Sequence, residues 1–298
     1  MTTRLHLVDG TFELFRAHYS KRPDHRTPSG MPFKAVAGLV SSMMYLLRDP
    51  EEAVTHVAIA FDNPIRSFRN DLYDGYKTEE GVDPALLAQF DAAEEATRAL
   101  GMVVLPMDRY ECDDALATGA ARFRDRVDQV RILTPDKDLG QCIVGDHVVL
   151  VDRIRKTVID EAGLRERRGI VPESIPDFLA LVGDAADGIP GIAGFGEKSA
   201  ALILGRFIHL EAIPPDAAQW NVPIRSADRL AATLRAHRDE ALLYRKLATL
   251  VTDVPIAETF EELEYKGRTD RFDAWSREAG LDFSSSLVTP RKAGDGDD

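Results

Sequence analysis

The sequence predicts an α/β fold, a mainly parallel sheet flanked by helices, followed by a helical domain. Three observations lead there. Five short apolar runs punctuate the first half and alternate with amphipathic stretches, which is the βαβ pattern. The runs are almost continuously apolar rather than alternating, as strands covered on both faces are. From about Pro172 the character changes to helical stretches joined by short Gly- and Pro-rich turns.

The strands fall at 4–8 ("RLHLV"), 56–61 ("HVAIAF"), 102–105 ("MVVL"), 130–133 ("VRIL") and 147–151 ("HVVLV"). Helical periodicity between them places helices at roughly 33–48, 83–100 and 113–126. Beyond Pro172, "PESIPDFLALVG" reads as a helix, "DGIPGIAGFGEK" as a loop with two tight turns, and "EKSAALILGRF" as a helix beginning behind a glycine. Further helices fit 226–236 and 238–250. The closing residues, "RKAGDGDD", have nothing to bury and are expected to be disordered.

The 298 residues are 44% hydrophobic, ordinary for a globular protein. The first residues enter a strand pattern at once, with no basic region followed by an apolar core and a small-residue cleavage site, and no window approaches a membrane span. The expectation is a cytoplasmic protein with no membrane partner. Its two cysteines, Cys112 and Cys142, lie outside any CxxC or CxxH spacing, and the seven histidines form no HxxxH or HxH pair. A nitrogen–sulfur metal site is thereby disfavoured, so a bound metal would need oxygen ligands. The net charge of −13 argues against a polyphosphate partner, unless many of the acids are gathered around cations.

The acids are so gathered. Asp9 follows "LHLV", Asp62 follows "VAIAF", and Asp136 and Asp138 follow "VRIL". Parallel sheets place their sites outside the carboxyl ends of the strands, where these side chains should meet. Glu111, Asp113 and Asp114 come shortly after "MVVL" at a helix start, and Asp184 and Asp187 lie in "GDAADG". Singly, each has a plain explanation as a turn former or helix-opening acid. Jointly they do not, because two carboxylates ~4 Å apart repel by roughly 4 kcal/mol at an effective dielectric near 20. Divalent cations resolve the conflict, and hard oxygen ligands suit two Mg2+ or Mn2+ ions, the arrangement used on phosphodiesters. Setting nine metal-bound acids aside leaves a charge of about −4, and nucleic acid is no longer excluded.

"GIPGIAGFGEKSA" (188–200) is a second signal. Gly194 and Gly196 permit a hairpin turn before a helix beginning near Glu197, so free N–H groups, the positive helix end and Lys198 converge. That arrangement grips a phosphodiester without reading bases. A simple helix–turn–helix corner is the competing account.

Five segments in register, "LVDGTFELFRAHY", "AFDNPIRSFRNDLYDGYK", "YECDDALATGA", "RILTPDKDLGQCI" and "LALVGDAADGIPGIAGFGEKSAALIL", resemble the structure-specific 5′ nucleases over roughly residues 4–205. These include the 5′-3′ exonuclease domain of bacterial DNA polymerase I and the flap endonucleases. The resemblance implies a PIN-like nuclease domain (1–168) with an acidic arch near 75–100, then a helix–hairpin–helix DNA-binding domain (169–255). A C-terminal extension (256–285) and a disordered tail (286–298) would follow. It also implies Asp9, Asp62, Glu111 and Asp113 around a first metal, with Asp114 beside them, and Asp136, Asp138, Asp184 and Asp187 around a second. Arg16, Arg69 and Lys77 match basic catalytic positions, Lys77 being the lysine that steadies the scissile phosphate. A K+ at the hairpin would be held by the carbonyls of Leu181, Val182, Pro190, Ile192 and Phe195.

The expected activity is that of a stand-alone 5′-3′ exonuclease or 5′ flap endonuclease acting on DNA with a 5′ end, flap or branched junction; the sequence does not fix the oligomeric state, a monomer being favoured. Departures from the family are Thr78, Glu79 and Glu80 after "GYK", where basic residues are usual, together with Gly188 for Asn and Cys112 for Ala. An acidic arch would weaken the hold on a threaded strand. Two rivals remain at this point. One is a catalytically weak DNA-binding protein that keeps the fold. The other is a phosphatase using the aspartate of "LVDG" as nucleophile, although Thr11 stands where such enzymes want a second aspartate.

Overall fold

The computed structural model describes residues 2–283, so the expected tail at 286–298 lies outside the described residues. Its sheet has the order β3-β2-β1-β4-β5-β6. The strands are β1 (Arg4–Asp9), β2 (His56–Ala60), β3 (Val103–Leu105), β4 (Gln129–Leu133), β5 (Val148–Asp152) and β6 (Thr157–Ile159). The first five are parallel and β6 returns antiparallel on β5.

Alternation along the strands divides the core in two, because successive side chains point to opposite faces. Leu5 and Leu7, Ala58 and Ala60, and Val130 and Ile132 face one layer. Val8, Val57, Ile59 and Leu133 face the other. The second layer is completed by α1 (Gly10–His18), α2 (Lys34–Arg48) and α4 (Phe90–Ala99). The first is completed by α5 (Cys112–Phe123), α7 (Ile175–Val182), α8 (Glu197–Phe207), α9 (Ala227–Ala236) and α10 (Arg238–Ala248), which extend it into the helical region. Among the described residues no helix is long and apolar enough to cross a membrane.

Several elements differ from expectation. The motif after β1 is helical, with Asp9 capping α1 by accepting a hydrogen bond from the Phe12 N–H at 2.8 Å. The helix expected over 83–100 is broken into α3 (Pro84–Leu87) and α4. Gln89, fully buried at the break, accepts the N–H of Ala35 at 2.9 Å and donates to the Ala85 carbonyl at 2.7 Å. It thereby caps α2, whose own N-cap Phe33 makes no side-chain cap bond. Of the arch expected over 75–100, the part from Phe90 on is ruled out. α4 buries Phe90, Ala93 and Ala96 against the core and cannot stand over a cleft. The edge strand β6 and α6 (Glu161–Arg168) have no counterpart in the sequence prediction. α11 (Phe272–Glu278) packs back on α4, with the Trp275 and Phe33 rings 6.2 Å apart.

Between β1 and β4, away from the acids, Glu52 accepts from the buried His6 at 3.0 Å and from Arg131 at 2.8 Å. Burial would raise the Glu52 carboxyl, but the hydrogen bonds from His6 and Arg131 and the Arg131 charge outweigh it and bring it down to about 2. Burial holds His6 below its usual value, so Arg131 supplies the positive charge. A carboxylate with a depressed folded pKa stabilises fully above its unfolded value and loses this as pH falls through ~4.5 to ~2. A shift of this size corresponds to roughly 3 kcal/mol. Glu52→Gln is expected to melt well below the parent at pH 7, with the gap narrowing to less than half by pH 3 in thermal denaturation.

Candidate active site

The strand order runs outward from β1 to β3 on one side and from β4 on the other, so the switch point lies between β1 and β4, where doubly wound sheets form their crevice. Asp9 is the last residue of β1, Asp62 follows β2, and Asp136 and Asp138 follow β4. All three strands are parallel, so these acids share one pole. α5 brings Glu111 as its N-cap residue and Asp113 in its first turn, and Asp62 accepts from the Cys112 N–H at 2.7 Å.

Hydroxyl groups tie the acids together. Thr134, 3% exposed, donates to Asp9 Oδ2 at 2.8 Å and accepts the Asp136 N–H at 3.0 Å, spanning the switch point. Ser67 donates to Glu111 at 2.9 Å, and the Tyr76 hydroxyl lies 3.0 Å from Glu111 and 3.4 Å from Asp187. Thr134→Val keeps a β-branched side chain and removes the bridge. For a hydroxyl that orients a metal-binding carboxylate, Mn2+ affinity weaker by ~10-fold or more, with Thr134→Ser near the parent, is the expected result of a titration. A melting temperature that falls while Mn2+ affinity holds would mean the hydroxyl only stabilises the fold.

Asp184 and Asp187 come from the turn after α7. Asp184 and Ile189 exchange backbone hydrogen bonds of 2.8 Å in both directions, and Lys77 N–H donates to the Asp187 carbonyl at 3.1 Å. Gly188, at φ +74°, sits where an added Cβ would lie 2.1 Å from the Gly75 carbonyl, so an Asn here would push the Lys77 segment away. Lys77 Nζ lies 3.0 Å from Asp187 and 3.7 Å from Glu111, between the two sets of acids. Lys137 Nζ holds Asp184 at 2.9 Å.

The electrostatics are those of a crowded acidic cleft. Burial, then the neighbouring Asp62 and Asp136, push the Asp9 carboxyl up to about 7 against the hydrogen bonds from Phe12 and Thr134. Burial followed by Asp136, Asp184 and Asp187 pushes Asp138 up to about 8. Asp113, Asp136 and Glu111 are raised too, burial being the largest cause in each. Burial would strip the proton from Lys77, but Glu111 and Asp187 more than reverse this. Asp184 alone is lowered, Lys137 outweighing burial.

Asp138 Oδ1 is buried without a hydrogen-bond partner. A buried unpaired carboxylate oxygen beside other acids fits a cation ligand. No three His, Cys, Asp or Glu side chains among the described residues are already drawn together closely enough to enclose an ion. The acids line a cleft, with Lys77 and Lys137 between them.

Three candidate residues sit elsewhere. Both Asp114 oxygens are taken, by a bidentate pair with Arg69 at 2.7 and 2.8 Å and by the Glu111 and Val251 N–H groups. Asp114 is fully buried behind Glu111, as part of the scaffold. Arg69, 1% exposed, donates to the Leu247 and Thr249 carbonyls at 2.7 and 3.0 Å, and its Nη1 lies 3.2 Å from Glu111, so it ties the helical region to the buried side of a cleft acid. Arg16 is turned onto Glu13 and Ser42 in a group with Arg153. Thr134, Ser67 and Tyr76 were not singled out from sequence. The only hint is that each stands within two residues of a motif acid or base, or at the end of a strand run.

At the hairpin, Gly194 (φ +89°) turns the chain and Gly196 precedes α8 as its N-cap residue. Lys198 is exposed and makes no ion pair among the described residues. The Leu181 carbonyl accepts from Ile192 N–H at 2.8 Å and the Ile192 carbonyl from Phe195 N–H at 3.1 Å. The Val182 and Pro190 carbonyls crowd Gly191 and Gly183.

A doubly wound sheet with acids at its switch point, joined to a helical module bearing a glycine hairpin, defines the PIN-like class with an appended SAM-like domain. The chain belongs to the 5′-3′ exonuclease family. That family's N-terminal resolvase-like domain matches residues 4–169 and its C-terminal SAM fold matches 170–271. DNA polymerase I of Rhizobium leguminosarum is 36% identical over 258 residues, covering 85% of this chain and 25% of that protein. DNA polymerase I of Bacillus caldotenax is 32% identical over 293 residues, covering 96% and 32%. The chain thus spans between a quarter and a third of these relatives. Among solved structures, the bacteriophage T5 D15 flap endonuclease in a complex with DNA and metal ions shares the fold. Its TM-score is 0.62 at 18% identity, covering 82% of this chain and 88% of that one.

Proposed function

We propose that this chain hydrolyses DNA phosphodiesters next to a 5′ end or 5′ flap, with two Mg2+ or Mn2+ ions held in the acidic cleft. Asp9, Asp62, Glu111 and Asp113 would hold one ion, and Asp136, Asp138, Asp184 and Asp187 the other. The observation that carries the reading is Lys77, placed between Glu111 and Asp187 where the two sets of acids face each other. Bound divalent ions supply a reactive water and counter-charge for the developing oxyanion.

The chain's own residues do the rest. Lys77, kept protonated by the surrounding acids, offers a fixed cation to the scissile phosphate. Thr134 and Tyr76 keep carboxylates from different elements in register. The turn at Gly194 and Gly196, with Lys198, offers N–H groups and charge to the duplex backbone. A K+ at the hairpin would draw on the carbonyls of Leu181, Val182, Pro190, Ile192 and Phe195, of which those of Leu181 and Ile192 each already accept one backbone N–H.

The test is cleavage of end-labelled flap, nicked, gapped and single-stranded DNA in Mg2+ and Mn2+. The expected result is metal-dependent release of short 5′ products, most rapidly at junctions. No scission with either metal, alongside retained DNA binding, would leave a binding module in its place.

A further inference from the structure

We infer that Gln141 is a positioning residue for the second set of acids: its amide ties the backbone of Asp138 to the end of α10 and thereby holds Asp138 in register with Asp184. The inference rests on the two-metal reading above and adds the device that keeps one ion's ligands together.

Those ligands come from two parts of the chain. Asp136 and Asp138 follow β4, whereas Asp184 and Asp187 follow α7, beyond the boundary at 169–170 between the two family domains. A metal site has to hold its ligands to within about 0.5 Å, so something must fix one pair against the other. Lys137 Nζ reaches Asp184 at 2.9 Å, but through a carboxylate that the ion itself would claim. Gly140 packs closely on Ile175, where an added Cβ would lie 2.6 Å from the Ile175 side chain. Ile175, however, opens α7 and Asp184 lies past its other end.

Gln141 supplies a link made of neutral groups alone. Its Nε2 donates to the Asp138 carbonyl at 2.9 Å and to the Ala248 carbonyl at 3.1 Å, and its Oε1 accepts the Leu250 N–H at 3.0 Å. α10 in turn packs along α7, the helix that leads into the Asp184 turn. The path from Asp138 to Asp184 therefore runs through Gln141, α10 and α7 without using a carboxylate oxygen. Asp138 depends on such a backbone anchor, because its Oδ1 has no hydrogen-bond partner to steady the side chain.

The same link completes α10. Carbonyls in the last turn of a helix find no N–H within it. Those of Leu247 and Thr249 are met by Arg69 at 2.7 and 3.0 Å, and that of Ala248 by Gln141. Arg69 also lies 3.2 Å from Glu111. The helix thus ends on two side chains, each of which reaches one set of acids, and Gln141 serves the second. Thr118 fastens the segment that follows without reaching an acid. Its hydroxyl donates to the Val251 carbonyl at 3.2 Å and accepts the Val254 N–H at 3.1 Å.

The experiment is a Mn2+ titration of the whole chain, followed by the paramagnetic signal of the free ion, for the parent, Gln141→Met and Thr118→Val, with a thermal melt of each. The expected result is two ions on the parent. In Gln141→Met one of them should bind ~10-fold or more weakly, the loss usual when a group that orients a ligand is removed, with the other within about twofold. Thr118→Val should melt lower than the parent and bind both ions as the parent does. Should Gln141→Met not fold, Gln141→Glu takes its place with the same expectation, since it keeps the acceptor for Leu250 N–H and loses both donated bonds. Parent affinity for both ions in the Gln141 variant would overturn the inference and leave the two-metal reading intact. So would a Thr118→Val variant whose affinity falls as far as that of the Gln141 variant. Fewer than two ions on the parent would overturn the two-metal reading and the inference with it.

Discussion

On the two-metal reading proposed above, Asp136→Ala and Asp138→Ala will each lower metal-dependent cleavage by at least ~10²–10³-fold, the range seen when a preorganised stabiliser of the transition state is removed. Neither change should unfold the protein. Asp138 Oδ1 has no hydrogen-bond partner, and burial with three neighbouring aspartates pushes its carboxyl up to about 8. A carboxyl whose folded pKa exceeds its unfolded value opposes folding increasingly as pH rises from ~4 to ~8. In chelator, therefore, the parent should lose melting temperature across this window and Asp138→Ala should lose less. Thermal melts in chelator at pH 5 and 9, beside flap cleavage at pH 8, check both statements. A variant that is inactive because it melts tens of degrees lower would remove Asp138 from the cleft chemistry and make it a structural residue.

What the sequence made legible follows from how each feature is encoded. The parallel strands showed because strands covered on both faces must be apolar throughout, and an acid ending such a run stands out. Asp9, Asp62 and Asp136 were therefore readable without coordinates, and the strand order then places them at one pole. β6 was not readable, because an edge strand of three residues with Val158 exposed obeys no burial pattern. α1 was hidden by the glycine at its start, and the break between α3 and α4 by a continuous helical periodicity that Gln89 interrupts for the sake of α2. The positioning hydroxyls were out of reach for a different reason. Thr134 and Asp9 are 125 residues apart, and a threonine carries no sign of which distant carboxylate it will meet. Arg69 illustrates the converse case. Its place in a basic motif suggested contact with substrate, whereas its partners are Asp114 and the Leu247 and Thr249 carbonyls of the scaffold, with Glu111 the cleft acid it approaches, at 3.2 Å.

Arg69→Met is accordingly expected to act mainly on stability. It strands Asp114, which is fully buried and keeps its bonds to the Glu111 and Val251 N–H groups but loses its one close counter-charge among the described residues, and it takes the same charge from beside Glu111. Breaking one side of such a buried pair costs about 3–5 kcal/mol, or roughly 10 °C in melting temperature for a chain of this size. The same argument predicts recovery. Arg69→Met combined with Asp114→Leu removes both charges together, and replacing a buried pair by apolar groups of similar volume is often neutral. The double variant should therefore melt above the single one, short of the parent by what the Leu247 and Thr249 carbonyls lose. Catalysis separates the two accounts of this residue. If Arg69 braces the helical region against α5, activity measured well below the melting point returns with stability in the double variant. If its guanidinium instead contacted the reacting phosphate, the double variant would be stable and stay inactive, and the bracing role would be wrong.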